Sequence, residues 1–496
     1  MQMNLWIFGM FVYYFGLTQI SFARDTSCGL VWGQSVLISL DSANDVLPEL
    51  WAQGDTIHVT WRGDENFYKL PYTRSTDGGL TFEQPRDLLQ NYPDFLQAPY
   101  QKIVANKNKV FLFIAGTSGQ GFSPVFLFFS SDAGVNWSQP LQVTNDTTSQ
   151  LLYASINGDS VLIIYRENYN SSEWKFSLST DGGSYWYNPQ SAVMTWYADK
   201  VEIAPDGLLH RVFGDTVNGE VRFTKSSDLG NSWQPSTMLS TNDGNFSSNI
   251  SIGVNISHYV YTLWKDAKFG CIDIGCSIPM RLSKNSGKSW SEEILLTNQS
   301  DGLPAENGKF AIMNNIVGFA WAKTISISNS HIQFRYSLDT GNTWTSICFP
   351  TDTSNTEKNL KPKSAISSSG FHIVWYRYTT TGFHIFYRHG SLLTSSPDET
   401  NELPKAIVLE QNYPNPFNPQ TVIGFSLMAV GNVSLKIYDI LGEEVAVIVN
   451  EKMEPGEHSA EWNAEGFASG LYFYRLSVTD ATGKTSVITK KMVLMK

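Results

Sequence analysis

Charged side chains stand beside aromatic ones at six places in this chain of 496 residues. They are Trp61-Arg62-Gly63-Asp64-Glu65, Tyr165-Arg166-Glu167-Asn168, Phe213-Gly214-Asp215, Trp264-Lys265-Asp266, Trp321-Ala322-Lys323 and Trp375-Tyr376-Arg377-Tyr378. From them Arg62, Asp64, Arg166, Glu167, Asp215, Lys265, Asp266 and Arg377 form a candidate ligand-binding set. An arginine fork donates two hydrogen bonds to a carboxylate and an aromatic face stacks on a sugar ring, so the grouping suits glycans and acidic ligands. None of the clusters places a nucleophile beside a base, so the chemistry they suit is binding. No Cys-x-x-Cys spacing with companion histidines makes a zinc site, and neither a metal nor another cofactor is expected. Arg62-Gly63-Asp64 also spells an adhesion tripeptide, which is too short to carry specificity.

Positions this far apart converge only if the chain between them repeats. Six segments align: Ser75-Thr-Asp77-Gly-Gly79-Leu-Thr-Phe82, Ser130-Ser-Asp132-Ala-Gly134-Val-Asn-Trp137, Ser179-Thr-Asp181-Gly-Gly183-Ser-Tyr-Trp186, Ser226-Ser-Asp228-Leu-Gly230-Asn-Ser-Trp233, Ser283-Lys-Asn285-Ser-Gly287-Lys-Ser-Trp290 and Ser337-Leu-Asp339-Thr-Gly341-Asn-Thr-Trp344. Successive Asp or Asn positions lie 55, 49, 47, 57 and 54 residues apart, a period that with strand-rich flanks predicts a β-propeller of four-stranded blades. In each segment the Asp side chain is suited to accept backbone N–H groups just ahead of it, and Gly supplies a positive-φ position. Second strands end at Trp61, Phe113, Tyr165, Phe213, Trp264, Trp321 and Trp375, which predicts seven blades, with six as the alternative. The last unit lacks a box after Tyr387-Arg388-His389-Gly390. Its missing outer strand is expected from the N-terminus, where Trp32-Gly33-Gln34-Ser35 echoes Trp137-Ser138-Gln139-Pro140. Turns alternate between the ends of an antiparallel meander, so the charged second-strand loops should open on the face opposite the boxes.

The S-x-D-x-G-x-T-W pattern resembles the Asp box, or bacterial neuraminidase repeat, of the sialidase superfamily. That resemblance implies that Asp77, Asp132, Asp181, Asp228, Asn285 and Asp339 are scaffold and that any active site lies on the opposite face. Enzymes of that family hold the sialic-acid carboxylate with three arginines and use a Tyr nucleophile paired with Glu and an Asp acid/base, unlike the two-carboxylate scheme of most glycosidases. Their first blade shows Phe-Arg-Ile-Pro, where this chain reads Tyr68-Lys69-Leu70-Pro71 and lacks the arginine. Arg222, Arg281, Arg335 and Arg388 recur on third strands just before box positions, which reads as scaffold. Arg62 and Arg166, with Asp64 or Glu167 nearby, remain as a partial carboxylate clamp. The expectation is therefore a propeller that binds glycans or other extracellular ligands. An exo-acting glycoside hydrolase of the sialidase superfamily is the alternative.

Net charge is −11 and aromatics make up 13%, which excludes a disordered chain and gives no basic excess for nucleic acid. Leu5 to Leu17 is an apolar run too short to span a bilayer. With Ser21 and Ala23 behind it, it reads as a signal peptide cleaved after Ala23, although no Lys or Arg precedes Arg24. Four cysteines allow three pairings, of which the local Cys271–Cys276 bridge is favoured.

After residue 390 the composition turns polar, with Pro397 and Pro404, and reads as a linker over 391–408. Residues 409–496 alternate like the strands of a small β-sandwich, taken as immunoglobulin-like. This stretch closely resembles the C-terminal sorting domain of the type IX (Por) secretion system, through Asn412-Tyr-Pro-Asn-Pro-Phe-Asn-Pro419, Ile437-Tyr-Asp-Ile-Leu-Gly442, Pro455-Gly-Glu-His458, Ala468-Ser-Gly-Leu-Tyr472 and Lys490-Lys-Met492. The resemblance implies a Gram-negative, Bacteroidetes-like source, the type IX machinery as partner for residues 409–496, and release or attachment at the outer-membrane surface. The domain plan is thus signal peptide 1–23, all-β Asp-box propeller 24–390, linker 391–408 and sandwich 409–496.

Overall fold

The computed structural model describes residues 28–392 except 40–43, 64–68, 93–96, 119–120, 145–149, 167–173, 188–189, 193–199, 216–218, 246, 267–277, 298–302, 306–309, 327 and 354–356, and residues 408–495 except 410–411, 413–414, 416, 428–429, 454–455 and 481–484. The expected signal peptide and most of the expected linker lie outside them. The chain divides into two compact units, the first ending at Leu393.

Every described element is a β-strand or turn. The first unit is built of antiparallel meanders. The first sheet runs Val46–Gln53, Thr56–Arg62, Pro71–Ser75, Arg86–Asp87, and the second Gln97–Asn106, Lys109–Ser118, Gly121–Ser130, Leu141–Gln142. The third runs Gln150–Asn157, Ser160–Arg166, Trp174–Ser179, Gln190–Ala192, and the fourth Lys200–Ile203, Leu209–Gly214, Val221–Ser226, Thr237–Met238. The fifth is Ser247–Val254, Val260–Asp266, Pro279–Ser283, Ile294–Leu295. A nine-stranded sheet follows, holding two further meanders: Phe310–Met313, Ile316–Ser326, Asn329–Ser337, and then Lys358–Ser367, Gly370–Thr379, Gly382–Leu392. A parallel bridge between Ser330 and Lys358 joins these halves. The last strand runs two residues past the expected boundary at 390. Against it pair the N-terminal strands Leu30–Trp32 and Val36–Leu37, Trp32 opposite Gly390, so the N-terminus does supply the outer strands of the final meander. Most fourth strands are only two residues long, which leaves little edge for another chain to pair with.

Each Asp box closes on itself. In the second sheet the Ser130 hydroxyl donates to Asp132 Oδ1 at 2.8 Å, the Gly134 N–H donates to Ser130 Oγ, and the Asn136 N–H and side-chain amide donate to Asp132 at 2.8 and 2.7 Å. Those donors, the Asn136 N–H foremost, hold the Asp132 carboxyl down at about 2. The same net recurs around Asp77, Asp181, Asp228, Asn285 and Asp339. Box and first turn touch within a sheet, as where the Ala133 N–H donates to the Asn108 carbonyl at 2.7 Å and Gly182 to Asp159 at 2.8 Å, so both turns share one end.

The second box glycine receives a ring from the preceding sheet. A Cβ built on Gly134 would lie 1.9 Å from the Tyr72 hydroxyl, on Gly230 2.2 Å from Phe176, and on Gly287 2.1 Å from Phe223. Phe111 faces Gly183, Tyr261 faces Gly341, and Tyr387 of the last meander faces Gly79 of the first. Tyr336 lacks a box ahead of it and instead meets Gly29, its hydroxyl donating to the Cys28 carbonyl at 2.8 Å. Cys28 is disulfide-bonded to Cys348, so the N-terminal turn that stands in for the missing box is covalently fixed. The favoured Cys271–Cys276 pair lies outside the described residues; the observed bridge is the pairing that leaves those two cysteines for each other. Buried clusters likewise lie between neighbouring sheets and close the circuit, as Ile57, Val59 and Trp61 pack with Val374, Ile385 and Tyr387. All the second-strand end aromatics are buried except Phe213, which is half-buried under the Arg211 guanidinium at 4.5 Å.

Two of the third-strand arginines expected to be scaffold, Arg335 and Arg388, are latches. Arg335 donates to the Thr345 and Leu296 carbonyls at 2.7 and 2.8 Å, and Arg388 to those of Gly33 and Pro350.

The second unit has two sheets, Val408–Leu409, Gln420–Leu427, Gly456–Asn463 and Glu444–Met453, Gly431–Tyr438, Gly470–Asp480, Thr485–Leu494. They share one core that includes Ile423, Phe425, Leu435, Ile437, Trp462 and Tyr474.

Two outcomes follow from the sockets. Gly134→Ala puts a Cβ into Tyr72 at φ +83°, and we expect it to cost more than about 2 kcal/mol in urea unfolding of the propeller. Two sockets also carry histidines: His58 Nδ1 pairs with the Tyr72 hydroxyl at 2.8 Å and His372 Nδ1 with that of Tyr387 at 2.7 Å. Burial first, then Arg74 for His58 and His389 for His372, pulls each down to about 3. Below about 6.5 the unfolded chain therefore binds protons that the folded one refuses. Stability should fall as pH drops from 6.5 toward 3, by up to about 1.4 kcal/mol per pH unit for each histidine. Urea midpoints at pH 7, 5.5 and 4.5 check this, and His372→Gln should flatten the slope.

Candidate functional site

First strands of four sheets and of both halves of the nine-stranded sheet line one cavity, so they are the innermost strands. Four of them carry a β-bulge near their start, three of these with Leu47, Asn249 and Lys361 at φ near 50°. Bulges re-aim the side chains that follow. Glu49 then accepts from Lys102 at 2.5 Å and pairs with Lys363 at 3.4 Å, joining the first, second and last meanders. One sheet further round, Tyr153 and Ser155 both donate to the Glu202 carboxylate, and the Lys200 ammonium lies 5.0 Å from the Tyr153 ring. Burial, then the Glu202 charge, holds the Tyr153 hydroxyl well above its ordinary range.

The sequence-predicted residues lie at the other end of the sheets from the boxes, where second strands end. Asp64 and Glu167 fall outside the described residues. Arg62 is half-buried, and burial lowers its guanidinium from the ordinary value against an opposing effect of Tyr100. Arg166 ends its strand half-buried, opposite Gln150. Asp215 accepts from Arg222 Nε at 2.6 Å, a latch within the fourth sheet. Lys265 is half-buried, while Asp266 is buried and accepts from the Trp264 indole N–H at 3.3 Å. Arg377 pairs with Glu357 at 3.0 Å, donates to Asn359 Oδ1 at 2.9 Å and stacks 4.2 Å from the Phe386 ring. Burial lowers Arg377, with Glu357 and Asp352 opposing. Beside it the hairpin tip exposes Tyr378, 55% accessible, packed on Phe383 at 5.0 Å between ring centres.

Two groups that the residue clusters did not reveal matter as much. Asn359 is fully buried and accepts from both Trp375 Nε1 and Arg377 while donating to the Ser330 carbonyl. Glu220 is buried where the third strand of the fourth sheet begins, accepts from the Ser240 hydroxyl, and is raised above the usual carboxylate range, by burial first. Neither belongs to a repeated motif; Asn359 follows Lys358 at the start of a first strand, where composition says nothing about partners. Among the described residues no group of three or more His, Cys, Asp or Glu side chains is placed to hold a metal, and no helix is long and apolar enough to cross a membrane.

A ring of meanders closed through Asp-box sockets, followed in sequence by a separate two-sheet unit, defines an Asp-box propeller with an appended domain. Comparison with known families agrees. Residues 49–249 match the BNR repeat-like domain, and residues 411–495 match the secretion system C-terminal sorting domain. The first unit thus contains a BNR repeat-like domain and the second a Por sorting domain, which indicates type IX secretion to the cell surface or the exterior, as in Bacteroidetes. No curated protein matches it in sequence. Among solved structures it is similar to YCF48 bound to a D1 peptide (16% identity, 72% of this chain and 94% of that one, TM-score 0.44). It is similar also to the PL25 ulvan lyase, a polysaccharide lyase (11%, 71% and 95%, TM-score 0.46), and to the NanB sialidase of Streptococcus pneumoniae (9%, 72% and 70%, TM-score 0.38).

Asn359→Ala removes one acceptor from two donors and one donor from a carbonyl, all buried. We expect a loss of about 2–4 kcal/mol in unfolding, larger than for Asp215→Ala, whose ion pair is part-exposed.

Proposed function

We propose that this secreted propeller binds glycans on the face opposite its Asp boxes, through a rim of aromatic and cationic side chains. The observation that carries the reading is the last hairpin. Tyr378 is exposed on a Phe383 support, and Arg377 beside it is held in place by Glu357 and Asn359. An exposed ring on a rigid β-hairpin, next to a fixed guanidinium, offers a sugar a stacking face and a donor at small ordering cost. The boxes do not compete for this role, because their carboxylates are consumed within their own turns. We take the ring as seven-bladed, with Arg62, Arg166 and Lys265 converging on the same rim.

One observation favours hydrolysis as a second reading. Tyr153 donates to Glu202 in the channel, a Tyr–Glu contact of the kind a sialidase-like nucleophile needs. Its first-blade arginine is replaced by Lys69, which is why binding is preferred.

The full chain applied to a glycan array should retain a defined set of glycans, and Tyr378→Ala should weaken that retention at least tenfold with the melting temperature unchanged. A panel of fluorogenic glycosides, sialosides included, is expected to give no turnover. Turnover abolished by Tyr153→Phe would replace binding by hydrolysis.

A further inference from the structure

The boxed end of the channel has chemistry of its own. A cavity of about 260 Å³ lies among the first strands. Its lining includes Pro205 and Ile256, which belong to first turns, and those turns lie at the end that carries the boxes. Ile256 is 67% accessible at this rim. Its walls include Ile156, Ile252, Ile312 and Ile366 beside the polar Asn157 and Ser364, and among the described residues its one ionisable lining residue is Glu202. Tyr153 and Ser155 each donate to one Glu202 oxygen, which fixes the carboxylate and leaves each oxygen a further lone pair. Among the described residues Glu202 has no ion pair. The nearby lysines are engaged elsewhere, Lys102 and Lys363 on Glu49 and Lys200 over the Tyr153 ring.

We propose that this cavity is a second ligand site, distinct from the rim of the opposite face, and that it takes a small organic ammonium ion with Glu202 as counter-ion. An anion would meet the Glu202 carboxylate with no lining cation beside it. A neutral apolar molecule would strip water from that carboxylate and return nothing to it. An alkylammonium satisfies both halves: its N–H groups take the free lone pairs of Glu202 and its chain lies against the isoleucines. The volume is near the lower end for ligand pockets, roughly 300 Å³, so the ligand is an amine of modest size and not an oligosaccharide.

Titration calorimetry of the full chain with n-hexylammonium, hexanol and hexanoate tests this. Expected are one-to-one binding of the ammonium, at least tenfold weaker binding of the alcohol, and none of the carboxylate. Glu202→Gln keeps an acceptor for Tyr153 and Ser155 and should cost the ammonium at least tenfold while leaving hexanol unchanged. Ala365→Phe, which fills the cavity from the last meander without touching Glu202, should abolish binding of both. The proposal is overturned if hexanoate binds as well as the ammonium, if none of the three binds, or if either variant, folded as judged by its melting temperature, binds the ammonium like the parent. Glycan retention by Tyr378 is read separately, so failure here leaves the reading of the opposite face intact.

Discussion

The propeller depends on one repeated contact: an aromatic ring from one sheet seated against a box glycine of the next. At four of the six box glycines a Cβ would collide, most severely at Gly79, where it would lie 1.8 Å from the Tyr387 hydroxyl, and at Gly183 and Gly341 it would be tight at 3.2 Å. The contact does two jobs. It spaces neighbouring sheets, and because Tyr387 of the last meander enters the first box, it also closes the ring. Where a box is missing, the Cys28–Gly29 turn takes the ring of Tyr336, and the bridge to Cys348 holds that turn in place. Closure by a disulfide suits a chain delivered outside the cell, where thiols stay oxidised.

Saturation of the boxes decides what each end of the ring is free to do. Every box spends its Ser hydroxyl and its Asp carboxylate, or the Asn285 amide in the fifth box, on its own turn. Charge that is available to a ligand is displaced to the opposite rim and to the channel between. There the arrangement is uneven. Asp215 and Asp266 are tied to Arg222 and Trp264, while Tyr378 projects from its hairpin. Charged residues that look alike in the repeat therefore differ in role according to whether a neighbour reaches them.

Much of the architecture was legible because the repeat writes it twice: once in the box, whose spacing marks the third-to-fourth turn, and once in the aromatic that ends each second strand. The N-terminal strand was legible through the echo of Trp137-Ser138-Gln139 in Trp32-Gly33-Gln34. The site was less so. Glu49, Tyr153 and Glu202 meet only because bulges at Leu47 and beside Tyr153 shift strand register by a residue, and a bulge leaves no reliable mark in composition. The disulfide was legible only indirectly: short separation favours Cys271 with Cys276, which leaves Cys28 for Cys348, the bridge that closes across 320 residues.

That order of dependence bears on how the molecule is assembled. The last meander is incomplete until residues from the beginning of the chain return to it, so its disulfide waits on a 320-residue separation and its Trp32–Gly390 pairing on a longer one. Contacts this distant in sequence carry the largest loop-closure cost and are formed late. The sorting unit has no such constraint: its core draws only on residues 409–494, with Leu409 and Leu494 at its two ends. A unit that completes its own core needs nothing from the propeller's packing, and the propeller's clusters in turn contain no residue beyond 392. The sorting domain and the propeller thus complete two separate cores, and the stability of the ring rests on its own sockets and staple.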